Sequence, residues 1–215
     1  MKKAVLFLIG LTCAILTYGQ TVKIQGGTSI SNLDWKLKGV DVAPFLDENL
    51  IGYSVFAGVE YLDKKHFNLS SNIGLIRKGG KEEVNLFSED GYVEKYIEKQ
   101  TLDYLSINTT IDLKHQIKEN ITPFVSVGPR FDYLINNSKR FDELKEIGAL
   151  KDTSIGLILG GGLKYDVSNI QLGLRIDYYL DFTKIADWTY ENTDSGVEVS
   201  SNTFTIGLSV GYVLK

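Results

Sequence analysis

Apolar and polar residues alternate singly along most of this chain. In the closing stretch NTFTIGLSVGYVLK, Phe204, Ile206, Leu208, Val210, Tyr212 and Leu214 alternate with Thr203, Thr205, Gly207, Ser209, Gly211 and Val213. Side chains of a β-strand point to opposite faces in turn, so the stretch is one strand with an oily face and a face of small, mostly polar groups. Similar alternation runs through Ile51–Tyr61, Phe67–Leu75, Tyr104–Leu113, Val125–Ile135, Ser154–Tyr165 and Ile170–Phe182. A weaker first strand, Val22–Ser31, sets Val22, Ile24 and Ile30 opposite Lys23, Gln25 and Ser29. About eight strands result, each long enough to cross a bilayer when tilted.

The connections alternate between long and short. Segments 32–49, 79–99, 136–152 and 183–201 are long, whereas the turns at Asp63–Lys65, His115–Asn120 and Asp166–Asn169 are short. In an up-and-down barrel this puts every long loop at one end, and the short turns with both termini at the other. The spacing also predicts a hairpin within the second long segment, Val84–Phe87 against Tyr92–Ile97. A turn of helix is predicted over SKRFDELKEIG in the third, with Gly148 as its stop.

Alternation alone leaves open whether the oily face looks at lipid or at a soluble core. The polar face is rich in Gly, Ser, Thr and Asn, which suits the tight interior of a small barrel. It also carries Glu60, Arg130, Asp132, Arg175 and Asp177, which can neutralise one another inside a closed wall. The oily face carries aromatics near both ends. Tyr61, Phe67, Tyr165 and Tyr212 fall toward the turns, and Tyr53, Phe131, Tyr133, Tyr178, Phe182 and Phe204 toward the loops. Phe204 and Tyr212 are eight positions apart; on a strand tilted ~40° that spans on the order of 20 Å, near the apolar band of such barrels. The reading is an all-β, eight-stranded antiparallel up-and-down transmembrane barrel with short periplasmic turns and long extracellular loops.

Composition narrows the compartment and the partners. Lys2 and Lys3 precede the apolar run AVLFLIGLTCAIL, and Thr17-Tyr18-Gly19 offers a cleavage site before Gln20. Residues 1–19 therefore read as a signal peptide and 20–215 as the barrel domain, exported to the outer membrane of a Gram-negative bacterium. The single cysteine, Cys13, lies in that leader, so the mature chain has no disulfide. A net charge of −4 without a dominant basic patch argues against nucleic acid.

No reaction centre emerges. His66 and His115 are the only histidines, and both fall at the turn end. Glu82-Glu83 and Glu89-Asp90 match no calcium-loop spacing. Gly160-Gly161-Gly162 lies within a strand, where it allows close packing rather than a phosphate cradle. No enzyme activity, cofactor or metal is expected.

The series GYSVFAGVEYL, FNLSSNIGLIRKGG, LDYLSINTTIDLKH, ITPFVSVGPRFDYLIN, DTSIGLILGGGLKYDV and IQLGLRIDYYLDFTKI resembles the outer-membrane β-barrel domain family of Bacteroidetes-type bacteria, the PorT-like group of small barrels akin to OmpA and OmpX. Arg77-Lys78-Gly79 and Gly128-Pro129 match positions common in that family. Such barrels often end on an aromatic that the assembly machinery recognises; here the chain ends Val213-Leu214-Lys215, with Tyr212 the last aromatic. The resemblance implies outer-membrane lipid and the barrel-assembly machinery as partners, and an envelope or secretion protein met through the four long loops. Two alternatives stay open: a narrow porin-like channel for ions or small solutes, and a secreted lipocalin-like carrier with the oily face inward.

Overall fold

A computed structural model describes residues 20–38, 46–87, 93–189 and 195–214. The predicted leader, Cys13 and the Glu89-Asp90 pair lie outside the described residues. Among the described residues, nine strands and one helix follow in the order β1 Gln20–Lys38, β2 Glu48–Tyr61, β3 Phe67–Phe87, β4 Val93–Lys114, β5 Ile121–Asn137, α1 Arg140–Glu146, β6 Thr153–Val167, β7 Ile170–Asp181, β8 Ala186–Thr189 and β9 Gly196–Leu214.

Each long strand pairs antiparallel with its neighbour, and β1 pairs with β9 from Gln20↔Leu214 to Lys38↔Gly196. That pairing closes the sheet, leaving no open edge along the wall, as a bilayer interior demands. Eight strands form the barrel. The ninth, β8, lies outside the ring and pairs with the loop end of β9, Ala186↔Val199 to Thr189↔Gly196, with one further bridge from Ala186 to Leu150.

The long connections are shorter than the sequence suggests, because the wall extends beyond the bilayer. Residues read as loop from Asn32 continue β1 to Lys38, stabilised by their ladder with the start of β9. In the second long segment, β3 and β4 run on together to Phe87↔Val93, as a two-stranded ribbon from Glu82↔Glu98 onward, extending the expected hairpin. The third carries α1 where helical spacing placed it. The last holds β8 and the beginning of β9. Strand extension wins over loop because each added residue closes ladder bonds that would otherwise fall to water.

Candidate functional site: the filled lumen and its apolar cap

Closure settles which face is which. Val22, Ile24, Ile73, Ile111, Val125, Leu174 and Leu208 all point outward and are exposed, Leu208 by 66%. Glu60, Arg130, Asp132, Arg175 and Asp177 all point inward and are buried. A lipocalin-like carrier would need the reverse, so that alternative is excluded.

The inward charges form two layers. Toward the turns, Lys23 donates to Glu60 (2.9 Å) and to Ser70 (2.7 Å), and Lys164 donates to the other Glu60 oxygen (2.7 Å). Lys164 also lies 3.5 Å from Asp112, and Asn68 bridges Glu60 and Asp112 at 3.3 Å each. Arg175 donates from Nε to Asp177 (2.7 Å) and from Nη2 to Ser126 (2.9 Å). Three cations, Lys23, Lys164 and Arg175, thus balance three carboxylates, Glu60, Asp112 and Asp177.

Toward the loops, Lys78 lies 3.1 Å from both Asp132 and Asp181, and Arg130 pairs with the same two carboxylates. Ser201 donates to Asp181 at 2.7 Å. Tyr104 and Tyr179 flank the Lys78 ammonium, with ring centroids at 5.3 and 5.9 Å, and Tyr179 also faces Arg130 at 4.8 Å. This layer too is neutral, two cations against two carboxylates. Buried charges are tolerated only when paired and hydrogen-bonded in this way.

The five charges singled out from the sequence are therefore half of a set of ten. Lys23, Lys78, Asp112, Lys164 and Asp181 complete it. Strand parity carried the signal: Lys23 falls with Gln25, Asp112 with Thr110, Lys164 with Gly162, and Asp181 with Asp177. Gly160 serves the lower layer by its small size, because a Cβ there would stand 1.9 Å from the Asp177 carboxylate. Gln25, Phe56, Asn72, Asn108, Arg175 and Asp177 are among the residues around a residual cavity of about 10 Å³, room for at most one water.

Above the upper layer the lumen turns apolar. Phe141 and Leu144 of α1, Ile185, Ala186 of β8 and Leu46 pack against Leu33, Ile76, Leu102, Leu134 and Val199 on the extended strands. Trp35 meets Phe141 with centroids 5.8 Å apart. Leu46 is brought in close because Gly80 has no Cβ; one would stand 2.1 Å from the Leu46 carbonyl oxygen. Lys151 N–H donates to Ile185 O (2.9 Å) and Asp187 N–H to Ala149 O (3.2 Å), tying α1's C-terminal segment to the β8 arm. Outside the bilayer Lys38 and Lys184 pair with Asp187, and Lys184 with Glu198. The hydrogen bond from Lys38 leads the contacts that hold the Asp187 carboxyl below its ordinary value. The Glu198 hydrogen bond raises the Lys184 ammonium above its ordinary value. This cap was not anticipated as a unit.

The ten aromatics fall on the outer face. Phe67, Tyr165 and Tyr212 are exposed at the turn end, with Tyr61 half-buried and bonded to Ser71 (3.0 Å). Tyr53, Phe131, Tyr133, Phe182 and Phe204 are exposed toward the loops, and Tyr178 lies against Phe204 with centroids 4.7 Å apart. Arg77, also outward, makes two bonds to Asp103 (2.7 and 2.9 Å) and covers the Tyr53 ring at 4.9 Å. His66 and His115 are exposed in the turns. Among the described residues no group of three or more His, Cys, Asp or Glu could hold a metal ion.

The model of the outer membrane protein beta-barrel domain family matches residues 18–187. The chain belongs to that family. Its place is accordingly the outer membrane of a Gram-negative envelope. The solved OprG structure from Pseudomonas aeruginosa is similar, with a TM-score of 0.53 at 11% identity over 90% of this chain and 96% of that one. The Escherichia coli outer membrane protein W structure gives a TM-score of 0.50 at 14% identity over 91% and 98%. Both likenesses concern the fold alone. A search among curated proteins finds no match.

Proposed function

We infer that this barrel is a sealed, non-enzymatic membrane platform that works through its extracellular face, with a protein partner of the envelope or of secretion in a PorT-like role. The observation that carries the reading is the filled lumen, with two neutral charge layers and an apolar cap stacked along the same axis. Conduction would require breaking both layers, which weighs against the narrow-channel alternative. A partner surface is favoured by apolar groups held outside the bilayer band. Tyr96 and Ile97 on the β3–β4 ribbon are more than half exposed, and Leu37 and Ile147 stand out near the cap. Export by a cleaved leader, and insertion by the assembly machinery acting on the last strand with Tyr212 as its aromatic, belong to the same proposal.

The purified barrel in a planar bilayer tests the sealed lumen. A silent membrane is expected, and regular ohmic steps would overturn it. A photo-crosslinker placed at Tyr96 or Ile97 in cells is expected to capture one discrete envelope protein. Capture of none at either site would remove the platform role.

A further inference from the structure

The turn end holds a groove that neither the charge layers nor the cap explains. Leu113, Pro123 and Val125 line it, with His66, Lys114 and His115, and its volume is about 470 Å³. Leu113 and Val125 are register partners on β4 and β5 and both face outward, 54% and 60% exposed. Two backbone bonds set its end: Lys114 N–H to His66 O (2.9 Å) and His115 N–H to Pro123 O (3.1 Å). A second cleft of about 310 Å³, polar this time, is lined by Lys64, Lys65, Gln116 and Thr122 and shares Lys114 with the first. Asp63 lies in it too, paired with Lys114.

Charge gathers at this end against the trend of the chain. The two turns beside the groove, 62–66 and 114–120, hold four lysines (64, 65, 114, 118) and two carboxylates (Asp63, Glu119), a local +2 in a chain of −4; the third short turn adds Asp166, which leaves the three turns together at +1. Phe67, in the turn-end aromatic set, pairs in register with Leu113, which puts the groove at the level where headgroups meet acyl chains. Short turns of such barrels face the periplasm, so the lipids there are those of the inner leaflet.

We propose that this groove and its lysine rim bind one glycerophospholipid with an anionic headgroup from the periplasmic leaflet. An acyl chain lies along Leu113 and Val125, which face the bilayer and need an apolar cover. The phosphate sits among Lys64, Lys65 and the two imidazoles. Lysine serves a phosphate as a mobile point charge, and an imidazole N–H adds a directed donor. A zwitterionic lipid would fill the apolar part equally well but gain less from the +2 rim.

The test is native mass spectrometry of the folded barrel released from micelles doped with phosphatidylglycerol or with phosphatidylcholine of the same chains. Retention of one phosphatidylglycerol at least tenfold above phosphatidylcholine is expected. The double variant Lys64→Ser/Lys65→Ser should lose that preference, and His66→Gln/His115→Gln should reduce it. Both should keep the heat-dependent gel mobility of the closed barrel, since none of the four side chains joins the wall's charge layers. Equal retention of the two lipids, or a preference that survives in both variants, would overturn the site. Displacement by millimolar glycerol phosphate alone would show that the rim takes a free phosphate and would also overturn a lipid site.

Discussion

Phe141→Ala isolates the cap from the wall. Phe141 is fully buried, packs on Trp35 and anchors a helix of seven residues. A helix that short has no stability of its own, so it depends on this contact. Truncating a buried Phe to Ala costs ~3–5 kcal/mol in a protein core. The cap lies near the surface and can partly collapse, so the lower figure applies, about 3 kcal/mol. At about 1.4 kcal/mol per tenfold, local opening becomes roughly a hundredfold more frequent.

Hydrogen exchange reads this directly, because amides in a locally opening unit report its own free energy. The amides of Ala149 and Leu150, both bonded to Leu144 O, and of Lys151 and Asp187 should exchange roughly a hundredfold faster. Leu174 and Leu208, paired in the middle of the wall, should not change. If wall and cap amides accelerate together, the cap is no separate unit. If neither moves, Phe141 is not what holds it. Either result refutes the reasoning.

Asp181→Ala removes a carboxylate shared by Lys78, Arg130 and Ser201. It leaves two buried cations against Asp132 alone, at ~3–5 kcal/mol, seen as a lower temperature for the gel mobility shift. Leu208→Arg sets a charge midway between Phe204 and Tyr212 on the lipid face and should cost ~2–4 kcal/mol, measured by folding into vesicles under urea. The same change in a soluble barrel's surface would cost little. Acid should loosen the cap. The folded value of Asp187 is depressed, so its contribution is complete above the ordinary aspartate value of about 3.9 and is lost as pH falls through the lower folded value. Exchange at the Asp187 and Lys151 amides should accelerate across that window; unchanged rates there would refute the contribution.

How much of this could be read from the residues depends on the range of the interaction. The period of two is local, so alternation at Phe204–Leu214 or Ile170–Phe182 placed strands and faces correctly. The turn at Asp166–Asn169 and the helix around Phe141 also carry local signals. The charge layers mix both ranges. Parity put Glu60 and Arg175 on the inner face, but Lys164 reaches Glu60 across 104 positions. Only closure of β1 on β9 decides that three cations meet three carboxylates there.

The cap and the strand extensions were the least readable part. Leu33, Leu46, Leu150 and Ile185 follow no shared period and come from three of the four long connections. Each falls in a stretch read from the sequence as a connection, with no strand period around it. Their burial depends on Gly80 admitting Leu46, on β8 pairing with Val199, and on Phe141 of α1 joining the same cluster. The strands, the alternation of their faces and the order of long and short connections were legible in the residues, because each is encoded among neighbours. That the barrel is filled and stoppered was decided by the tertiary structure, because charge pairing and apolar packing act between segments that only the closed ring brings together.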